Sequence, residues 1–368
     1  MPTEEVVHPV PEADKHCPKC GGGSFSHLGY EASVTYDYVP GHFVRRVHKR
    51  EKVACRCGEC ILTAAPSPKV VARGRYGPGF AAFLVVDKCA DSIPIYRIEK
   101  RLGRLGIPIS RSTMNDVLHD TAECLAPLVE RIEQRVRVAE IVLADETSMR
   151  LQDRKKKGFV WVFQGRDDLT DALLVRYVFA TDRSGETPAR ILGGTDGTLV
   201  VDGYTGYNVV TDPEGRRRGG CWCHARRKVY EAMLAGDTDA VHGLDLIRSL
   251  FRVEHEALVR RIVRTDEHLA LRLDKAKPIT DEILRWVQGK RGETPPKTPL
   301  GEALGYIERQ WPRLTLFLSD ARIPLHNNDS ESALRVVALG RNYAEPAIMR
   351  SYRRPCRESA CSVLNAPA

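Results

Sequence analysis

Ala139-Glu-Ile-Val-Leu-Ala-Asp145-Glu-Thr-Ser-Met-Arg-Leu151 is apolar, Glu140 apart, until it reaches a carboxylate at Asp145. Thr198-Leu-Val-Val-Asp202 repeats the design as a short buried strand that also ends in Asp. Between the two, Gly158-Phe-Val-Trp-Val-Phe163 and Ala172–Ala180 read as hairpin partners, the first entered through the basic loop Arg154-Lys-Lys-Lys157. Such runs of β-branched and aromatic residues favour a pleated, half-buried surface. Gly219–His224 reads as one more strand. Two neighbouring strands that each end in Asp set anionic oxygens at one rim of a sheet. Divalent metals can be held between them, and two-metal phosphoryl transfer needs such a set, with the metals about 3.5–4 Å apart. A third carboxylate is expected from a nearby helix, and Glu331, in a final short helix from Asn327 to Leu339, is the candidate. A structural alternative stands beside each of these. A strand-end Asp is also a turn former, and Glu331 lies three residues after Asn328, where it can cap a helix and pair with Arg335. The residues alone leave both readings open.

Outward from this strand-rich block the chain turns helical on both sides. From Gly79 to Arg137 apolar residues recur at three-and-four spacing. A helix is expected to end at Gly106, Pro108 forbids its continuation, and Ser110 or Ser112 can cap a second. That is the grammar of a helix-turn-helix, and equally of a small bundle. Arg97, Lys100, Arg101, Arg104 and Arg111 cluster there, as phosphate-positioning contacts require. On the other side Cys221-Trp-Cys-His224 runs into Arg226, Arg227 and Lys228, a buried strand entering a basic helix, with Trp222 and the arginines expected to face DNA. Helix continues to about Leu318, broken at Gly289–Pro299.

The N-terminal stretch to about Pro68 is loop-rich and carries five of the eleven cysteines. Cys17-x-x-Cys20 and Cys57-x-x-Cys60 are two chelating knuckles, and four thiolates satisfy tetrahedral zinc; Cys55 can stand in for Cys57. A disulfide framework belongs to small secreted domains. Here Met1–Lys15 is polar, without the apolar core of a signal peptide. No apolar run approaches the ~20 residues of a membrane span, so an integral membrane protein is excluded and a cytoplasmic, nucleoid-associated protein is expected. Lys plus Arg number 56 against 48 Asp plus Glu, a net charge of +8 that suits a polyanionic partner.

Several stretches, in this order and spacing, resemble the IS66 family of bacterial insertion-sequence transposases. They are Cys17-Pro-Lys-Cys-Gly-Gly22, Pro94-Ile-Tyr-Arg97, Arg104-Leu-Gly-Ile107 with Ser110-Arg-Ser-Thr113, and Ala144-Asp-Glu-Thr147. Downstream come Val201-Asp-Gly-Tyr-Thr-Gly-Tyr-Asn208, Cys221-Trp-Cys-His-Ala-Arg-Arg227, Asn327-Asn328 with Glu331, and Leu334-Arg335 through Gly340-Arg341. The resemblance implies a multidomain α+β, α/β protein whose RNase-H-like core holds a DDE triad of Asp145, Asp202 and Glu331 on magnesium or manganese. It also implies a structural zinc and places His224, Arg226 and Arg227 near DNA. The implied partners are the element's terminal inverted repeats, target DNA, further copies of the chain on paired ends, and accessory proteins of the same element. The implied reaction is cleavage at element ends, then attack of a 3′-hydroxyl on target DNA.

The expected organisation is a zinc module (1–68), a helix-turn-helix-like segment (69–137) and a first core part (138–224). A helical insertion (225–325), a core helix with the third carboxylate (326–343) and a tail (344–368) without the apolar pattern of a closing helix follow. The chain departs from the family's habit in three places. Met1 stands sixteen residues before Cys17, where relatives begin with a longer zipper-like helix. His326-Asn-Asn328 replaces Asp-Asn-Asn, and Ser332 follows Glu331 in place of Arg. Those departures keep two further functions in view: a DNA-binding remnant without catalysis, and a general RNase-H-like nuclease.

Overall fold

The computed structural model describes residues 41, 43, 52–54, 61–63, 76–150, 157–211 and 215–342. By its internal contacts the chain divides into two units, Met1–Ser67 and Pro68–Ala368. Of the first unit, strands β1 (Lys52–Ala54) and β2 (Ile61–Thr63) are described, and they pair antiparallel with Val53 opposite Leu62. The connecting sequence carries Cys55, Cys57 and Cys60.

The second unit opens with helices α1 (Pro78–Val85), α2 (Ile95–Arg104) and α3 (Arg111–Val138). Ala81, Leu84, Ile95, Ile98, Leu102, Ile109, Met114 and Val117 close a small core among them. The α2–α3 turn follows the sequence rules closely. Gly106 takes φ +74°, a left-handed conformation open to glycine, and Ser110 Oγ accepts the Thr113 N–H at 3.2 Å as the cap of α3.

A five-stranded mixed sheet follows. Its strands are β3 (Ile141–Arg150), β4 (Lys157–Arg166), β5 (Leu173–Ala180), β6 (Thr198–Val200) and β7 (Arg217–Gly219), in the spatial order β5-β4-β3-β6-β7. The first three form an antiparallel meander, while β6 pairs parallel to β3 and β7 parallel to β6. Helix α4 (Glu186–Leu192) leads into β6. Alternation along the strands decides which side each residue serves. Val142, Ala144, Trp161, Phe163 and Val178 pack with Val136 of α3 and with Ile191 and Leu192 of α4. Val160, Val162, Val175 and Tyr177 face the other way and receive Leu334 of α10 (Asn328–Asn342).

Between β7 and α10 lie α5 (Trp222–Leu234), α6 (Asp239–Val259), α7 (Asp266–Leu271), α8 (Lys277–Arg291) and α9 (Pro299–Leu314), which share one apolar core. The expected strand over Gly219–His224 is corrected here: the strand ends at Gly219 and α5 begins at Trp222. The Trp222 N–H donates to Leu325 O at 3.1 Å and its indole Nε1–H to Leu314 O at 2.8 Å, so the ring is locked under α9 and the chain coils at once. Arg272, 1% exposed, fixes the return path. Its guanidinium donates to the carbonyls of Phe317, Asp320 and Ile323 at 2.9, 3.1 and 3.0 Å, and to both Glu254 oxygens at 2.8 Å. A buried charge is tolerated when it is paired and fully hydrogen-bonded in this way. Arg216, fully buried, does the same at the sheet, donating to Ala139 O, Arg137 O and Thr195 Oγ1 at 2.9, 2.8 and 2.9 Å.

Candidate active site

Asp145 lies in β3 opposite Val162 of β4. Its same-parity neighbours Leu143 and Met149 pack towards the insertion and α10, so the period-two alternation turns Asp145 to that side and Glu146 to the other. Asp202 follows the end of β6, and its Oδ1 accepts the Tyr204 N–H at 2.9 Å, which folds the chain into a tight turn. Helix α9 closes on this turn: a Cβ at Gly203 would meet Tyr306 Cε2 at 2.9 Å. Glu331 stands in the first turn of α10.

Asp202 and Glu331 both stand within electrostatic reach of Asp145. Burial, and then the negative charges of Glu146, Asp202 and Glu331, push Asp145 up to about 7, against the opposing pull of the Glu146 N–H at 2.9 Å. Hard oxygen donors with surplus negative charge are the chemistry that divalent magnesium or manganese takes. Among the described residues no group of three or more His, Cys, Asp or Glu side chains is placed closely enough to hold a metal ion as it stands.

Positive charge comes from α5. His224 Nε2 and Arg227 Nη2 each lie 3.7 Å from Glu331 Oε1. These, rather than Arg335, are the basic side chains beside Glu331 among the described residues. The neighbouring Cys221 raises His224 above its ordinary value, burial opposes this, and the charge of Asp202 adds to the rise. Cys221 and Cys223 share a hydrogen bond that raises the buried Cys221 thiol and holds Cys223 down to about 7. Arg226 is exposed. Trp222 corrects the sequence reading: it is fully buried with its one donor satisfied by Leu314, so it belongs to the core and presents no face to DNA.

Sequence reasoning passed over the opposite side of β3. The Glu146 side chain, 2% exposed, accepts from Tyr207 Oη at 2.6 Å and from Arg183 Nε at 2.7 Å. Arg183 lies 4.0 Å over the Tyr204 ring. The signal was in the sequence, since Glu146 adjoins Asp145 and both tyrosines sit in the Val201–Asn208 stretch. Missing was the knowledge that β3 carries acids on both faces.

Of the basic residues on and beside α2, Arg97, Lys100 and Arg104 are exposed. Arg101 instead pairs with the buried Asp87 and lies 5.0 Å over the Phe83 ring, while Arg111 pairs with Glu99 at 3.3 Å. Cys17, Cys20, Cys57 and Cys60 lie outside the described residues, as does Cys55.

Two family models match the chain. Residues 73–348, more than half of the chain, match the model of the family described as "Transposase IS66 family". Residues 14–58 match the zinc-finger binding domain of transposase IS66, a span that includes Cys17, Cys20, Cys55 and Cys57 and stops before Cys60. The uncharacterized protein y4hP of Sinorhizobium fredii (strain NBRC 101917 / NGR234) is 31% identical over 355 residues, covering 90% of this chain and 64% of the relative. The uncharacterized proteins y4qI and y4jD of the same strain are 29% and 28% identical over 348 residues, each covering 90% of this chain and 63% and 67% of themselves. The chain thus spans about 64% of the length of the first relative it matches. With the family model covering most of the second unit and the zinc-finger model covering the first, the chain belongs to the IS66 family of transposases.

Proposed function

We propose that this chain is a DDE transposase of a bacterial insertion sequence, which cleaves element ends and joins their 3′-hydroxyls to target DNA. The observation that carries the reading is the carboxylate site. Asp145 from a central strand is pushed up to about 7 by burial and by the charges of Glu146, Asp202 and Glu331, which is the electrostatic state of a site that a divalent cation would relieve. The sheet order β5-β4-β3-β6-β7, an antiparallel meander extended by two parallel strands, supports an RNase-H-like core interrupted by the α5–α9 insertion.

In this reading Asp145, Asp202 and Glu331 would hold the cations. Two magnesium or manganese ions bound there would supply an activated oxygen nucleophile and neutralise charge on the leaving oxygen. His224 and Arg227, each 3.7 Å from Glu331, would offset its charge and draw a DNA phosphate into the site. Arg97, Lys100 and Arg104 contact phosphates from α2, with Arg226 on α5 extending the basic surface; Arg101 and Arg111 support α2 through their ion pairs. Cys17, Cys20, Cys57 and Cys60 hold a structural zinc, with Cys55 as the alternative to Cys57. The partners are terminal inverted repeats, target DNA, further copies of this chain and accessory proteins of the element.

The test is cleavage and joining of a labelled oligonucleotide carrying the element's own end, with manganese, beside Asp145→Ala and Glu331→Ala. Metal-dependent products that vanish in both variants are expected. End binding without products from the unaltered chain would leave a DNA-binding protein and overturn the catalytic reading.

A further inference from the structure

The chain returning from the insertion is fastened to the sheet at Asn327, a residue with no exposed surface. Its Nδ2–H donates to Ala144 O at 2.8 Å, across 183 residues of sequence. Its backbone N–H donates to Cys221 Sγ at 3.3 Å, and its carbonyl accepts the Glu331 N–H at 3.4 Å in the first turn of α10. Ala144 directly precedes Asp145. The parallel ladder between β3 and β6 ends one residue earlier, with Leu143 opposite Val200. A single buried residue therefore joins the strand carbonyl next to Asp145, held by its carboxamide, to the helical turn that carries Glu331 and to the start of α5, both held by its backbone.

This is not what a helix cap alone requires. An N-capping side chain turns its oxygen onto the N–H groups of its own helix. Asn327 Oδ1 is buried without a hydrogen-bond partner among the described residues, while the amide nitrogen reaches away to the strand. Leaving a buried acceptor unsatisfied is costly, so the geometry is set by the strand contact. The rest of α10 has separate fastenings: Ser330 Oγ lies 3.2 Å from Gln164 Oε1, Tyr177 Oη donates to Ala333 O at 3.0 Å, and Leu334 fills the sheet. These hold the helix down, but none of them touches the backbone beside Asp145.

We propose that Asn327 is a positioning residue that fixes the separation of Glu331 from Asp145, and so tunes the affinity of the carboxylate site for its divalent cations. This rests on the reading that Asp145, Asp202 and Glu331 hold those cations. Groups that orient metal ligands typically change metal affinity by ~10–100-fold when removed. The full chain is compared with Asn327→Ala, Asn327→Gln and Ser330→Ala, and with Asp145→Ala. One readout needs no catalysis: the manganese concentration that gives half of the manganese-induced rise in melting temperature, without DNA. The other is the manganese concentration for half-maximal cleavage of the labelled end. Both Asn327 variants are expected to need at least ~10-fold more manganese in each, with end binding unchanged, because Gln keeps the donor but shifts the spacing by one methylene. Ser330→Ala, which loosens α10 without touching Ala144, is expected to stay within ~2-fold. If Asn327→Ala does not fold, Asn327→Ser takes its place. Asn327 variants that melt lower yet respond to manganese at the wild-type concentration overturn the proposal and leave Asn327 a residue of the fold. A wild-type chain indifferent to manganese, or Asp145→Ala that keeps the response, refutes the metal reading itself and the proposal with it.

Discussion

Replacing Asp145 by Asn should make the metal-free protein more stable at alkaline pH while removing catalysis. In the folded chain Asp145 is raised from 3.8 to about 7 by burial and by Glu146, Asp202 and Glu331. Below about pH 4 the carboxyl is protonated in both folded and unfolded chains and exerts no pH-dependent effect. As pH rises through this window the unfolded chain loses the proton first, so folded stability falls until pH passes about 7, and the penalty is constant above that. A shift of about three units at ~1.4 kcal/mol each is an upper bound of ~4 kcal/mol, at ~2 °C per kcal/mol roughly 8 °C in Tm. Asn keeps the shape and cannot ionise. Melting with EDTA at about pH 8 and about pH 5 should therefore show Asp145→Asn above wild type at the higher pH, with the gain shrinking at the lower one. Manganese should then close the gap from the wild-type side, since binding to the folded state raises its stability. An Asn variant no more stable than wild type at about pH 8 without metal would show that Asp145 is not held against burial and the neighbouring negative charges, and the site argument would fail.

Three further outcomes follow from particular contacts. Trp222→Ala should destabilise the second unit by ~3–5 kcal/mol, read from urea melts, while leaving DNA affinity per folded molecule unchanged; selective loss of DNA binding would restore an interfacial role to the ring. Arg97→Ala, Lys100→Ala and Arg104→Ala should each weaken end binding across sequences and lower the slope of log affinity against log salt by ~1, whereas Arg101→Ala should chiefly lower stability by stranding Asp87. About one zinc per chain is expected by elemental analysis, lost on substitution of Cys17 or Cys20 by Ser; full zinc retention would move the ligands elsewhere.

Much of the sheet is legible because its strands obey a local rule. Unbroken runs rich in Val, Ile, Phe and Trp mark β3, β4 and β5 within a few residues, and Gly106 with Ser110 marks the α2–α3 turn by chemistry that needs no distant partner. Where the local rule and the tertiary partner disagreed, the partner decided. Cys221-Trp-Cys-His224 has strand-like composition, yet Trp222 begins a helix because Leu314 and Leu325, about a hundred residues on, accept its two N–H groups. Glu331 has Arg335 at helical spacing, but His224 and Arg227 of α5 are the basic side chains that reach it.

The sequence by itself determined the family, the candidate carboxylates and the short-range caps and turns, since each is written in residues close together or in a fixed order. It did not determine which carboxylates face one another. That depends on the order of strands in the sheet, on the parity of β3 that sends Asp145 and Glu146 to opposite sides, and on the Asn327 carboxamide that brings α10 against Ala144. Hydrogen bonds spanning 183 residues and burial that raises a carboxyl to about 7 are properties of the packed chain. They arise only when folding excludes water from groups that the sequence keeps far apart.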